Sequence, residues 1–306
     1  MNSPPPPSHL SAEAIAFILE APEPAKIDYS DHDALLELRK EVDIEWQGLN
    51  DQMTEPWVSR EETVAGVPAV RFASSEDALD NRTILVHLHG GSYFVGSPMA
   101  NASIAVPIAQ RTGLPVVSID YGMAPDRPFP AGVNDALDAC VELLADHQIA
   151  GLFGESAGGG LALTTAIGLR DGGHVMPDRL GLLSPWVDLT NSGDSYRTLL
   201  AADPEFDDPD EFAAVSHLYA GDDIADPRAS PLFADLQGLP PTLIQVGGRE
   251  ILLSDSCRVS AAMHRAGTEV TLDVWDGLWH VWQLHHHVPE AQQALTELAA
   301  FLVPVS

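Results

Sequence analysis

From residue 63 onward the chain alternates short β-like runs with helix-like runs, and this alternation restricts the possible folds more than any other feature. The runs predicted as strands are 63–72, 83–88, 115–120, 149–153, 180–184, 242–246 and 269–275, and those predicted as helices are 98–112, 132–147, 156–170, 253–266 and 289–302. Strands that alternate with helices predict an α/β fold, with a mostly parallel sheet covered on both faces. Functional residues of such a sheet gather at the carboxyl ends of its strands.

Three stretches lie outside this alternation. The prolines from Pro4 to Pro7 cannot donate backbone hydrogen bonds, and they predict a disordered arm over residues 1–10. Residues 11–55 carry apolar side chains at helical spacing, whereas residues 190–235 contain acidic loops and one helix but no clear strand. We predict that 11–55 and 190–235 form two parts of a helical cap, the second inserted into an α/β domain that spans 56–306.

The charge and the cysteines narrow the range of partners. The 306 residues include 15 Lys and Arg against 45 Asp and Glu, and the net charge of −30 repels nucleic acids and anionic lipid surfaces. Two cysteines make neither a disulfide framework nor a metal cluster. The sequence begins without a basic region followed by an apolar one, and it shows no apolar run of membrane-spanning length, so we expect a cytoplasmic protein.

A glycine-rich serine segment stands between a predicted strand and a predicted helix. Gly154-Glu155-Ser156-Ala157-Gly158 matches G-x-S-x-G, in which a tight turn lifts the serine hydroxyl above the sheet as a nucleophile. A β-carbon at Gly154 or Gly158 would collide with neighbouring backbone in such a turn. The helix N-terminus also favours a developing anion. The alternative interpretation makes Ser156 an ordinary helix N-cap.

A second glycine-rich segment, His89-Gly90-Gly91-Ser92, directly follows the predicted strand that ends at Leu88. Glycines let such a loop approach a substrate carbonyl closely, and backbone N–H groups there would stabilise an oxyanion. We assign the oxyanion donors chiefly to Gly90 and Gly91, together with the N–H of Ala157. Taken alone, the segment is also typical of a plain turn at the end of a strand.

These motifs together resemble the hormone-sensitive-lipase-like esterases, a family with the α/β-hydrolase fold. The matching segments are "HGGS", "YGMAPDRPFP" (121–130), "GESAGG" and "SPWVDL" (184–189), in the order that the family shows and over roughly residues 60–300. The resemblance implies an eight-stranded sheet, a cap built from the N-terminus, and cofactor-free hydrolysis of small or medium acyl esters. Ser92 stands where the family usually has a third glycine, and its role as a donor is left open.

The fold's chain order of serine, acid and histidine selects the other catalytic candidates. His280 follows a predicted strand through a loop, and "HVW" at 280–282 resembles the family's histidine segment, whereas His264 belongs on the exposed side of a helix. The run 285–287 consists of three histidines, but consecutive side chains point in different directions, so we predict no metal site.

Two carboxylates compete for the role of the acid. Glu250 lies just beyond the carboxyl end of a predicted strand, where the family usually carries aspartate, and Asp255 lies in the first turn of the next helix. The position favours Glu250, and a negative charge at a helix start explains Asp255 without catalysis. Asp120, Asp135 and Glu155 are interpreted as structural carboxylates.

The resulting hypothesis is a serine esterase that uses Ser156, His280 and Glu250 on a small-molecule ester. A lactone hydrolase or an N-acetyl amide deacetylase with the same triad is one alternative, and a ligand-binding receptor on the same fold is another. The aromatic residues that would line a cap pocket, or simply belong to the core, are Trp46, Trp57, Phe206, Phe212 and Tyr219. Relatives often pair through sheet edges, so a homodimer is possible for this chain.

Overall fold

The computed structural model describes residues 4–22, 26–208 and 210–303 and has one eight-stranded sheet at its centre. The strands are β1 (Val58–Val64), β2 (Val67–Ala73), β3 (Thr83–Leu88), β4 (Val116–Ile119), β5 (Gln148–Glu155), β6 (Arg179–Leu183), β7 (Thr242–Gly247) and β8 (Val270–Trp275). Their spatial order is β1-β2-β4-β3-β5-β6-β7-β8. The β1–β2 and β2–β4 pairs are antiparallel and the other five pairs are parallel, which confirms the predicted, mostly parallel α/β sheet.

Helices connect most of these strands. In the described ranges they are α1 (Ala12–Glu20), α2 (His32–Gln47), α3 (Ala102–Thr112), α4 (Ala131–Asp146), α5 (Ala157–Asp171), α6 (Ser195–Thr198), α7 (Glu211–Ala220), α8 (Leu253–Arg265) and α9 (Pro289–Leu302), with 3-10 turns at Gly48–Gln52, Asp77–Asp80, Pro231–Phe233 and Trp282–Leu284. No helix in these ranges combines the length and the apolar character that a bilayer crossing needs.

The first part of the sheet differs from the sequence prediction. The run 63–72, predicted as one strand, contains a turn, and β1 and β2 form an antiparallel hairpin around it. The turn residues Ala65 and Gly66 have φ angles of 51° and 78°, in the left-handed region that glycine adopts without strain. The hairpin places one more strand at the edge of the sheet than the residue pattern had indicated.

The two faces of the sheet pack against different helices. On β3, Ile84, Val86 and Leu88 belong to a buried cluster that includes residues of α4, α5 and α8. Leu85, which points to the opposite face, packs in a cluster with residues of α3 and α9. Both faces are therefore covered, and the loops after β3, β5, β7 and β8 leave the sheet at the carboxyl ends of parallel strands.

The N-terminal segment and the insertion at 190–235 contact each other. Lys26 Nζ donates to Asp207 Oδ1 at 2.8 Å, and the Tyr29 hydroxyl donates to Glu211 Oε1 at 2.9 Å. In the described part of the predicted arm, residues 4–10, the carbonyls of Pro4 and Pro5 accept hydrogen bonds from Arg249. Residues 1–3 of that arm lie outside the described residues.

Candidate active site

Ser156 occupies the turn between β5 and α5 in a strained conformation. Its φ and ψ angles are 53° and −121°, which a residue with a β-carbon rarely adopts. The backbone on both sides keeps it there, because the Ser156 N–H donates to the Leu183 carbonyl at 2.8 Å and the Ser156 carbonyl accepts from the Trp186 N–H at 2.9 Å. The side chain lies at the carboxyl end of β5, and the residue is 7% exposed.

The glycines around Ser156 permit a very close approach of backbone segments. A β-carbon on Gly154 would lie 2.4 Å from the carbonyl oxygens of Gly158 and Leu88, and one on Gly158 would lie 2.0 Å from the Leu88 oxygen. Real β-carbons do not come so near to backbone oxygen atoms. The α5 N-terminus can therefore sit against the end of β3, beside the His89–Ser92 loop, only if these positions lack side chains.

Gly158→Ala is expected to destabilise the fold by about 3 kcal/mol or more, because the backbone atoms in its way belong to the central sheet. Thermal or urea unfolding followed by circular dichroism measures this loss. Gly48→Ala is the matched control, since Gly48 has helical backbone angles and no neighbouring atom within 4 Å of the place that a β-carbon would take. Equal unfolding midpoints for Gly158→Ala and the parent would contradict the close approach.

His280 lies against the Ser156 hydroxyl, although 124 residues separate them in sequence. Its Nε2 atom is 2.9 Å from Ser156 Oγ, and the residue is 9% exposed. The loop that follows β8 carries it, and Val281 after it takes a left-handed φ of 48°. The Val281 N–H donates to Ser184 Oγ at 3.3 Å, which ties the histidine loop to the end of β6.

Glu250 is the carboxylate on the other side of His280. Its Oε2 atom is 3.8 Å from His280 Nδ1, which is within ion-pair range but longer than a hydrogen bond. The same oxygen accepts from Ser184 Oγ at 2.7 Å and from the Gly247 N–H at 3.3 Å. Burial lowers the pKa of His280, but Glu250 and neighbouring carboxylates outweigh burial and raise it above its usual value.

Asp255 has a different environment. Its Oδ2 atom accepts the N–H groups of Val187 and Asp188 at 3.1 and 3.0 Å, and the residue is fully buried. Burial raises the pKa of Asp255 to about 8, and the nearby Asp188 adds to the rise. Within the described ranges it has no hydrogen bond or ion pair with His280. Asp255 thus shapes the segment after β6, and Glu250 is the competitor that faces the histidine.

The loop after β3 contains the predicted oxyanion donors, and Gly90 is the assignment that changes. The Gly90 N–H donates to Glu155 Oε1 at 2.6 Å, so this amide is already bonded. The N–H groups of Gly91, Ser92 and Ala157 have no acceptor among the described residues. Gly91 has a φ of 116°, and a β-carbon there would lie 2.0 Å from the Val95 oxygen. Of the predicted donors, Gly91 and Ala157 thus keep an N–H without an acceptor in the described ranges, and so does Ser92.

A buried network of polar side chains around Glu155 binds the His89–Ser92 loop through the Gly90 N–H. Besides Gly90, Glu155 accepts from Asn101 Nδ2 and lies beside His87 Nε2, each at 2.8 Å. His87 Nδ1 is 2.8 Å from Ser118 Oγ. The network joins β3, β4 and β5 at the residue before Ser156 and is consistent with a structural role for Glu155. The sequence analysis missed His87, Asn101 and Ser118, although a histidine inside an apolar strand signals a buried partner.

Aromatic side chains surround the histidine on the side of the insertion. The Phe206 ring lies 5.4 Å from the His280 ring and 4.8 Å from Phe212, which in turn contacts Trp186 at 5.0 Å. Tyr219 stacks on Tyr93, the residue that follows Ser92, at 3.9 Å. Two other predicted pocket residues lie elsewhere, because Trp57 packs on Phe72 and Trp46 packs on the core.

The three consecutive histidines have separate environments. His285 lies against Phe17 and Trp279, and burial lowers its pKa to about 4. His286 Nε2 is 2.7 Å from the Ser103 carbonyl, and His287 contacts Gln52. Over the part of the chain that the structure describes, no group of three His, Cys, Asp or Glu side chains is arranged to hold a metal ion.

Comparisons with known proteins place this chain in a family. Residues 85–284 match the family described as alpha/beta hydrolase fold. An acetyl-hydrolase from Streptomyces hygroscopicus is 40% identical over 227 residues, which cover 73% of this chain and 76% of that protein. An esterase from Acinetobacter venetianus is 37% identical over 224 residues, which cover 71% and 74%. The crystal structure of an esterase from the bacterial hormone-sensitive lipase family superposes with a TM-score of 0.83 at 34% identity, covering 95% of this chain and 96% of that one.

The chain is therefore an α/β hydrolase. Within that fold it belongs to the hormone-sensitive-lipase-like esterases, as the motifs predicted, and it is a hydrolase that acts on ester bonds.

Proposed function

We propose that this protein is a serine carboxylesterase that hydrolyses small to medium acyl esters through an acyl-enzyme formed on Ser156. The observation that carries the proposal is the 2.9 Å contact between Ser156 Oγ and His280 Nε2 at a strained strand-to-helix turn. A hydroxyl that only caps a helix needs neither the strained backbone nor an imidazole partner. Glu250 lies on the other side of the imidazole, with Oε2 at 3.8 Å from His280 Nδ1.

The chemistry follows from these positions. His280 Nε2 takes the proton of Ser156 while Oγ attacks the ester carbonyl carbon, and the protonated ring then gives that proton to the leaving alcohol. Water, deprotonated by His280, next attacks the acyl-enzyme and releases the acid together with free Ser156. Glu250 orients the ring and stabilises the imidazolium in both halves of the cycle.

The negative charge that develops on the carbonyl oxygen needs fixed donors. We assign this role to the backbone N–H groups of Gly91, Ser92 and Ala157, because they have no acceptor in the described ranges and belong to the two segments next to Ser156. Ser92 takes the place of Gly90 in the assignment. Only its backbone amide is needed, so a serine can serve where the family usually has glycine.

The preference for small acyl groups rests on the rings that crowd the site. Phe206, Phe212, Trp186, Tyr93 and Tyr219 bring bulky side chains beside His280 and the His89–Ser92 loop. The segments 11–55 and 190–235 form the cap that contributes three of these rings. The similarity to an acetyl-hydrolase supports the same preference.

A substrate panel tests this function. Purified protein is assayed side by side with p-nitrophenyl acetate, butyrate and octanoate, a γ-lactone, and an N-acetyl anilide. We expect kcat/KM to be highest for acetate or butyrate, lower for octanoate, and lowest for the anilide, whose amine is a poorer leaving group. A kcat/KM that is higher for the lactone or the anilide than for every ester would assign the site to that alternative reaction.

A further inference from the structure

One buried carboxyl group near the catalytic centre has no role in the mechanism above. Asp203 lies on the insertion between α6 and α7, and it is 6% exposed. Its Oδ2 atom accepts the N–H of Ile251 at 3.0 Å, and its Oδ1 atom accepts the N–H of Glu205 at 3.0 Å. Ile251 directly follows Glu250, so the carboxyl group of Asp203 binds the loop that carries the proposed acid.

Further hydrogen bonds join the same two segments. Arg249 Nε donates to the Ala202 carbonyl at 3.1 Å, on the other side of Glu250 along the chain. Ser195 Oγ donates to the Ile251 carbonyl at 2.5 Å and accepts from the Ser254 N–H at 2.9 Å. The residues before and after Glu250 are therefore both bound to the insertion, which restricts where the Glu250 side chain can lie.

The insertion also reaches His280 itself. Three residues after Asp203, the Phe206 ring packs edge-on against the imidazole at 5.4 Å. The charged groups that act on His280 are Glu250 from the loop after β7, and Asp203 and Glu205 from the insertion. The charged groups that act on Asp203 are His280 and Glu250. The charge of Asp203 in turn acts on Arg249.

We propose that Asp203 is a positioning residue of the catalytic centre, which fixes the loop of Glu250 through Ile251 and adds a second carboxylate charge beside His280. The proposal rests on the function given above, in which His280 is the general base. It explains how a glutamate whose nearest oxygen is 3.8 Å from the ring can still hold an imidazolium, because the insertion prevents its loop from moving away. Asp203 itself exchanges no proton with substrate.

The energetic cost of this arrangement supports a functional role. Burial raises the pKa of Asp203 to about 7, with the charge of His280 opposing the rise and that of Glu250 adding to it. A carboxyl group with such an elevated pKa gives the folded state no stability from ionisation near neutral pH. The carboxylate does, however, favour the positive charge that His280 carries during the reaction, and the Asp203 charge is one cause of the raised pKa of that histidine.

Asp203→Asn tests the proposal, because it keeps the shape of the side chain, removes the charge and leaves only one oxygen to accept the two N–H groups that Asp203 binds. With p-nitrophenyl acetate, kcat should fall about tenfold, and KM should change by less than about twofold. The loss in kcat is smaller than the roughly hundredfold loss that follows when a catalytic group is displaced by about 1 Å. The acid limb of the pH profile of kcat/KM should move to lower pH, since His280 loses a stabilising negative charge. A purely structural role would not move this limb.

Asp207→Asn is the matched control. Asp207 lies on the same insertion, but its carboxylate pairs with Lys26 at the surface. Surface ion pairs contribute little energy, so the loss of this charge should not affect the site. Its kcat and pH profile should equal those of the parent. An Asp203→Asn enzyme with unchanged kcat and an unshifted acid limb would overturn the proposal.

Ser195→Ala keeps the proposal testable if Asp203→Asn does not fold. It removes the hydroxyl bound to Ile251 and Ser254 but no charge, so we expect a lower kcat with the acid limb in place; an unchanged kcat would contradict the positioning role. Failure of the proposed function has a different signature, namely an active Ser156→Ala enzyme. An inactive Ser156→Ala enzyme together with a normal Asp203→Asn enzyme would reject the Asp203 proposal alone.

Discussion

Replacing Ser156 by alanine is expected to lower kcat/KM for p-nitrophenyl acetate by roughly 10⁴- to 10⁶-fold, the loss that follows removal of a catalytic nucleophile. The substitution removes only the Oγ atom that lies 2.9 Å from His280 Nε2. Without it no acyl-enzyme forms, and the oxyanion amides can only assist direct attack by water. Initial rates at several ester concentrations, measured on protein whose circular dichroism matches that of the parent, give the loss.

Ser103→Ala is the matched control for this change. Ser103 is also buried, on α3, and its hydroxyl has no hydrogen-bond partner in the described ranges. The loss of that hydroxyl should leave the rate within about twofold of the parent, because it breaks no interaction of the site. Parent-like turnover by Ser156→Ala would show that another group carries the reaction.

The second large effect is expected at Glu250. Glu250→Gln should lower kcat by roughly 10²- to 10⁴-fold, because a neutral amide neither stabilises the imidazolium nor enforces the ring tautomer with its proton on Nδ1. Glutamine has almost the shape of glutamate, so the hydrogen bond from Ser184 and the fold around it should persist. Steady-state kinetics at pH 8 measure the loss.

Asp255→Asn is the comparison that assigns the acid. Because burial raises the pKa of Asp255 to about 8, much of this carboxyl group is protonated near pH 7, and a neutral amide resembles that state. We expect a change in kcat of less than about fivefold, since the residue only holds the backbone of Val187 and Asp188. A severe loss in Asp255→Asn combined with a normal Glu250→Gln enzyme would transfer the role of the acid to Asp255.

The sequence was informative about the turn that carries Ser156 because local rules determine its geometry. A serine flanked by Gly154 and Gly158 between a strand and a helix leaves few alternatives, and the distances to Leu88 explain both glycines. His280 followed from the chain order of the fold, and the structure places it at hydrogen-bond distance from Ser156. Strands and helices of the α/β part were likewise predictable from their alternation, since burial on both faces gives short apolar runs.

Other features depend on side chains that are distant in sequence, and no local pattern predicts those. The bonded state of the Gly90 amide depends on Glu155, 65 residues away, whose carboxylate reaches the loop through its side chain. Asp203 meets Ile251 only because the insertion folds back onto the segment that follows β7, and an acidic loop gives no sign of such a contact. The hairpin of β1 and β2 was missed for a simpler reason, namely that its two-residue turn is short and has little polar character.

The most direct test of the whole account is the location of a covalent adduct. The protein is treated with a fluorophosphonate, digested, and analysed by mass spectrometry, with Ser156→Ala and His280→Ala treated in parallel. The account predicts one adduct on the peptide that contains Ser156, none on the Ser156→Ala protein, and greatly slowed labelling of the His280→Ala protein. An unlabelled parent protein that still hydrolyses esters, or an adduct on another residue that abolishes turnover, would contradict it.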